Sequence, residues 1–145
     1  MRTIRTAVEI DASPSAVWDV LTDFSSYPAW NPHVPHASGD LRVGEAVDIV
    51  VRREGGKDRS MTVTITALEP ERRLEWVGKL LSPRLFEGRH TLELEPLGEE
   101  RTRLVNREEL SGVFARFATT DEPERDYEAM NRALKTRVER APSIA

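Results

Sequence analysis

His90, Asn106 and Glu108 stand out because they sit in segments whose same-side neighbours are otherwise apolar. In residues 86–96, His90 alternates with Leu92 and Leu94. In residues 102–110, Asn106 and Glu108 alternate with Leu104 and Leu110. An imidazole next to a carboxylate is an acid–base arrangement in which the carboxylate orients the ring and a proton can be moved. On an apolar wall the same groups could instead hold a ligand's carbonyl or hydroxyl. They could also simply satisfy each other as a structural His–Glu hydrogen bond. Burying a polar group costs roughly 1–3 kcal/mol unless it is partnered, so three on one inner face need a reason.

Those residues have to be held by strands. Residues 2–10 form a first strand with Ile4, Val8 and Ile10 on one side. A short strand is expected around residues 41–43, then strands at 46–54, 60–68, 74–81, 86–96 and 102–110. Glu54-Gly55-Gly56-Lys57 is a turn, and Pro70 sits in the next. Residues opposed across a hairpin have a constant index sum. A turn centred at Gly56 opposes Val47 to Ile65, Ile49 to Val63 and Val51 to Met61. A turn at Pro70 opposes Ile65 to Trp76 and Met61 to Leu80. A turn at Pro83 opposes Trp76 to His90 and Leu74 to Leu92, and a turn at Glu99 opposes His90 to Glu108, Leu92 to Asn106 and Leu94 to Leu104. The apolar faces agree through all four turns, which describes an antiparallel meander with one concave buried face. Arg89, Thr91, Glu93, Arg103 and Arg107 fall on the other, solvent-facing side.

Helices must close that face. Ser13 caps a first helix with Pro14 at its first position, and Val17, Val20, Leu21 and Phe24 recur at helical spacing. Tyr27-Pro28 ends it, and Ala29-Trp30-Asn31-Pro32 closes the segment. Val113, Phe114 and Phe117 suggest a short helical turn. A longer C-terminal helix starts near Asp121 as cap, with Tyr127, Met130, Leu134 and Val138 along one side, and reads as an amphipathic lid across the sheet.

The 145 residues fit one domain. A net charge of −4 argues against a general nucleic-acid binder. Absent cysteine excludes disulfides and thiol chemistry. No apolar run approaches a membrane span, and residues 1–11 lack a signal peptide's apolar core, so a soluble cytoplasmic protein without stable membrane insertion is expected. His33-x-x-His36 lies in a proline-bounded loop with no acidic ligand at metal spacing, and no phosphate loop or nucleophile elbow occurs, so neither metal nor cofactor is expected.

Ser13-Pro14, Val17-Trp18, Leu21, Asp23, Tyr27, Trp30-Asn31-Pro32, Gly88, His90 and the Glu108–Gly112 run (EELSG) together resemble the SRPBCC superfamily, also called START-like or Bet v 1-like. Within it the chain is most similar to bacterial polyketide cyclase/dehydrase-type and lipid-transport-like proteins. The resemblance spans essentially the whole chain. It implies an α+β helix-grip fold: one strand, two short helices, six strands and a long C-terminal helix, the sheet of about seven strands curling around that helix and an apolar cavity.

The leading expectation is binding of a small hydrophobic or aromatic ligand, lipid-like or polyketide-like. Trp30, Asn31, Met61, Trp76, Phe86, His90, Asn106, Glu108, Tyr127 and Met130 are the residues expected to line the site. For the bulky apolar ones, plain core packing is the alternative, and Trp-Asn-Pro also serves to turn a chain. Two further readings stay open: a polyketide cyclase/dehydrase-type enzyme using His90 and Glu108 for proton transfer, and a co-chaperone-like interaction module with a collapsed cavity.

Overall fold

The computed structural model describes residues 2–52, 58–79, 86–113 and 122–140. The chain runs β1 (Arg2–Ile10), α1 (Pro14–Leu21), a 3-10 turn at Phe24–Ser26, α2 (Tyr27–Trp30), β2 (His36–Ser38), β3 (Ala46–Val51), β4 (Arg59–Glu69), β5 (Arg73–Lys79), β6 (Glu87–Gly98), β7 (Arg101–Ser111) and α3 (Glu122–Glu139). The strands form one antiparallel seven-stranded sheet in the order β1-β7-β6-β5-β4-β3-β2. This is an α+β helix-grip architecture, with the helices laid over one face of the sheet.

Local chemistry sets the helix ends. The Ser13 side chain accepts from Ala16 N at 3.2 Å, and Pro14 occupies the first turn, where its missing donor is not needed. The Thr22 hydroxyl closes α1 by donating to Trp18 O at 2.7 Å. The Asn31 side chain then turns the chain, its Oδ1 accepting from His33 N at 3.0 Å and Val34 N at 2.9 Å.

Three of the four expected hairpin registers match. Ile65 faces Trp76, Trp76 faces His90, and His90 faces Glu108. Bulges near Ile65/Ala67 and Pro96/Gly98 absorb a residue each. The β3–β4 pairing differs: Val47 faces Val63 and Ile49 faces Met61, a two-residue slide from the expected register. An even slide keeps every side chain on its face, because strand side chains alternate with period two. The expected strand at 41–43 is instead a tight turn, with Arg42 N bonded to Asp40 O and Glu45 N to Arg42 O. Pairing with β3 falls to His36–Ser38. At Gly39, where β2 ends, a Cβ would stand 2.7 Å from Ala46 O, so only glycine lets the chain pass. The expected turn at 54–57, Leu80, Pro83, Phe114, Phe117 and the Asp121 cap lie outside the described residues.

The core fills the concave face. Ile10, Leu21, Ile65, Leu74, Leu92 and Leu104 are fully buried, and Met130, Leu134 and Val138 of α3 close over them, while Tyr127 packs with Ile4 and Leu110 in a second cluster. On the convex face, Arg103 meets Glu9 and Glu95, and Arg107 meets Glu93, as solvent-facing pairs of small individual weight. Thr91, expected to face solvent, is buried there and donates to Glu75 at 2.9 Å. Its short side chain lies among long-armed neighbours whose stems cover the sheet. Among the described residues no helix is long and apolar enough to cross a membrane.

Burial ranks the cost of truncation. Leu134→Ala on the inner stripe of α3 should destabilise by about 3 kcal/mol, whereas Val43→Ala, at a side chain 61% exposed, should stay within about 0.5 kcal/mol. Urea denaturation of both variants checks the contrast.

Candidate functional site

His90 projects from the middle of β6 onto the concave face. Its ring sits 5.8 Å from Trp76, 5.1 Å from Tyr127 and 6.5 Å from His33, centroid to centroid. His33 in turn meets Tyr127 edge-on at 5.0 Å. At this level the concave face is occupied by rings from β5, β6, α3 and the loop after α2. Trp76 also leans on Phe24 from behind.

The hydrogen-bond partner of His90 is not the carboxylate opposite it. Nε2 lies 2.6 Å from Asn106 Oδ1, one step along β7 from Glu108. Asn106 Nδ2 donates to Asn131 Oδ1 at 2.9 Å and approaches Met130 Sδ at 3.8 Å. Asn131 Nδ2 donates to Thr6 Oγ1 at 2.8 Å, and Thr6 Oγ1 donates to the Asn106 carbonyl. Because Asn106 turns an acceptor oxygen to the ring, Nε2 carries the proton and Nδ1 carries a lone pair. Among the described residues Nδ1 makes no hydrogen bond. Burial pulls the imidazole down to about 4, with the Asn106 bond opposing and His33 adding to the shift, so the ring is neutral at neutral pH.

One row further along the sheet the side chains stop. Gly78 and Gly88 face each other across β5 and β6, immediately beyond the Trp76–His90 pair. A Cβ at Gly78 would stand 2.7 Å from Met61 Cε, and one at Gly88 2.9 Å from Glu108 Oε1. The step is therefore overlain by the tips of Met61 and Glu108, with Val63 Cγ1 3.2 Å from the Gly78 position. Glu108 is half-buried beside it.

The other expected site residues fall around this centre. Tyr127 and Met130 are buried against it from α3, and Phe86 packs at one border with Ile4, Leu110 and Tyr127. Trp30 lies on the α2 side, its ring 5.1 Å from Tyr27 and its Nε1 donating to Ser26. Asn31 is buried, its Nδ2 lacking a hydrogen-bond partner among the described residues. Thr6, Asn131 and His33 belong to the centre and were not expected there. Thr6 shares the face of Ile4 and Val8, and Asn131 lies four residues after Tyr127, so both sit in the predicted apolar stripes as polar interruptions. Among the described residues no three His, Cys, Asp or Glu side chains converge as a metal site.

Two surface grooves are also formed. One of about 420 Å³ runs over β2, β3 and β4 and reaches Met61. Another of about 210 Å³ lies between β1 and α3, with Thr6 and Asn131 in its lining. His90 lines neither.

Comparison with known proteins fits this geometry. A family model described as "Polyketide cyclase / dehydrase and lipid transport" matches residues 1–139. No curated protein matches the chain in sequence. Among solved structures, the Zhui aromatase/cyclase of a Streptomyces species superposes with a TM-score of 0.76 at 22% identity, over 96% of this chain and 94% of that one. A START superfamily protein from Mycobacterium smegmatis gives 0.72 at 18% identity, over 94% of this chain and 97% of that one. A protein from Thermus thermophilus gives 0.76 at 20% identity, over 98% of this chain and the whole of that one. At these identities the likeness is one of fold.

The buried imidazole makes stability depend on pH. The unfolded chain takes up a proton near pH 6.5, while the folded protein resists until about 4. Stability is thus full above about pH 6.5 and falls as pH drops towards 4, by about 3 kcal/mol from this group. His90→Gln, which can still donate to Asn106 Oδ1, should remove that component. Urea denaturation of both proteins at pH 7.5 and pH 4.5 should show a smaller acid loss in the variant; equal losses would contradict the assignment.

Proposed function

The chain belongs to the polyketide cyclase / dehydrase and lipid transport family, and on that premise we propose that it binds a small apolar or aromatic ligand within its curved sheet. The observation that carries this reading is the Gly78–Gly88 step. A side-chain-free patch on an otherwise filled inner face, bordered by a neutral hydrogen-bond acceptor, is what a ligand seat requires: mostly apolar walls and a few orienting polar groups. Met61 overlies it with a flexible end that can swing aside, and Met suits an adaptable wall. Trp76, Tyr127, Met130 and Phe86 form the walls; His90, with Asn106 behind it, and Glu108 supply the polar contacts. Trp30 and Asn31 belong to the mouth, where Asn31 Nδ2 offers a donor.

Binding is favoured over proton transfer by a magnitude. A base with a pKa of about 4 lies some three units below neutral pH, and general bases work best with a pKa near the operating pH. As it stands, the His90 ring is a better hydrogen-bond acceptor than proton shuttle.

A thermal-shift panel of fatty acids, sterols, flavonoids and polycyclic aromatics tests the proposal. A ligand at a hundred times its Kd should raise the Tm by about 5–10 °C. In the Gly78→Ala/Gly88→Ala double variant, the added methyls should abolish that shift while the protein still folds, the better strand propensity of alanine offsetting the close approach to Met61 Cε and Val63 Cγ1. A panel without any shift in the wild-type protein, or an undiminished shift in the double variant, would overturn it.

A further inference from the structure

The chain of bonds behind His90 has a direction that one group imposes. Hydroxyls and imidazoles can each donate or accept, and an amide can turn over, but a backbone carbonyl can only accept. The carbonyl of Asn106 takes the Thr6 hydroxyl proton. Thr6 Oγ1 must then accept from Asn131 Nδ2, Asn131 Oδ1 must accept from Asn106 Nδ2, and Asn106 Oδ1 is left to accept from His90 Nε2. Were the Asn106 amide turned over, its oxygen would meet the Asn131 oxygen at the 2.9 Å that now separates donor from acceptor. All four side chains are buried, Thr6 and Asn131 at the floor of the groove between β1 and α3.

We propose that Thr6 and Asn131 are positioning residues that fix His90 as an acceptor at Nδ1. Their hydrogen bonds go to Asn106 and to each other, not to the ring, and they act by holding the Asn106 amide in one orientation. The consequence, which rests on His90 being a ligand contact, is selectivity: the site prefers ligands that present a hydroxyl to His90 over otherwise equal ligands that present an ether. Because Asn131 lies on α3 and Thr6 on β1, the setting is held only while the helix stays docked on the first strand.

Long-range ¹H–¹⁵N correlation of the ligand-free, ¹⁵N-labelled protein at pH 7.5 reads the tautomer directly. The wild type should show His90 protonated at Nε2. In Asn131→Leu the Asn106 amide is released and the Nδ1–H form should appear, and Thr6→Val should shift the ring the same way. Asn131→Asp, which still offers Asn106 an acceptor oxygen, should keep the wild-type form. A role in packing alone would leave the tautomer unchanged in every folded variant. An Nδ1–H ring in the wild type overturns the proposal even if no variant folds, as does an unaltered tautomer in both Asn131→Leu and Thr6→Val. Titration of the wild type with 2-naphthol and 2-methoxynaphthalene then reads the selectivity, with about a tenfold preference for the naphthol expected from one hydrogen bond. If neither probe binds, the ligand reading fails for this class while the tautomer result stands.

Discussion

A fully buried carboxamide is the constraint around which this interior is arranged. Asn106 lies in mid-strand on β7, between β6 and β1, with no access to water. An amide needs partners at both ends, and leaving one unmet costs about 1–3 kcal/mol. Its oxygen goes to His90 on β6 and its nitrogen to Asn131 on α3, which is anchored to Thr6 on β1. One side chain thus ties two neighbouring strands to the helix that covers them. The apolar stripe of α3 gives adhesion but tolerates sliding, since Met130 and Leu134 would find other apolar neighbours a little way along. The amide does not tolerate it, so the polar bonds set where the greasy surface settles.

Most of the fold was legible because alternation and turns carry independent information. Opposing residues through Pro70, Pro83 and Glu99 placed Trp76, His90 and Glu108 in one row, as found. The β3–β4 pairing lies two residues from the expected register, yet parity kept Val47, Ile49 and Val63 inward. The strand at 36–38 was not legible, since three residues after a proline give no alternation to count.

The row shared by the candidate residues Trp76, His90 and Glu108 was legible, and their wiring was not. Facing His90 with Glu108 is correct for the backbone, but the side chain bonded to the ring is the diagonal one, Asn106. Diagonal neighbours in a sheet remain within reach of long side chains, and a neutral amide can be buried without the desolvation cost of a carboxylate. A carboxylate bound to the imidazole would also draw its pKa upwards, whereas burial here carries it down. Thr6 and Asn131 passed as interruptions in apolar stripes, and only spatial proximity shows that they interrupt at the same place. His33 sat in a loop whose backbone is turned by Asn31, and nothing in its spacing points at Tyr127.

The glycine pair is the feature that stability alone does not explain. A glycine in a strand interior weakens it by about 0.5–1 kcal/mol relative to alanine, and two facing each other compound the loss. Neither has a positive φ, so backbone geometry does not demand them. Alanine at Gly78 would press on Met61 Cε and on Val63 Cγ1, a buried β-branched neighbour, and alanine at Gly88 would press on Glu108 Oε1, so close packing supplies part of the reason. What the two positions share is their place beside His90, on the face to which the buried bond chain presents a neutral ring. The proposed ligand seat gives both positions one reason.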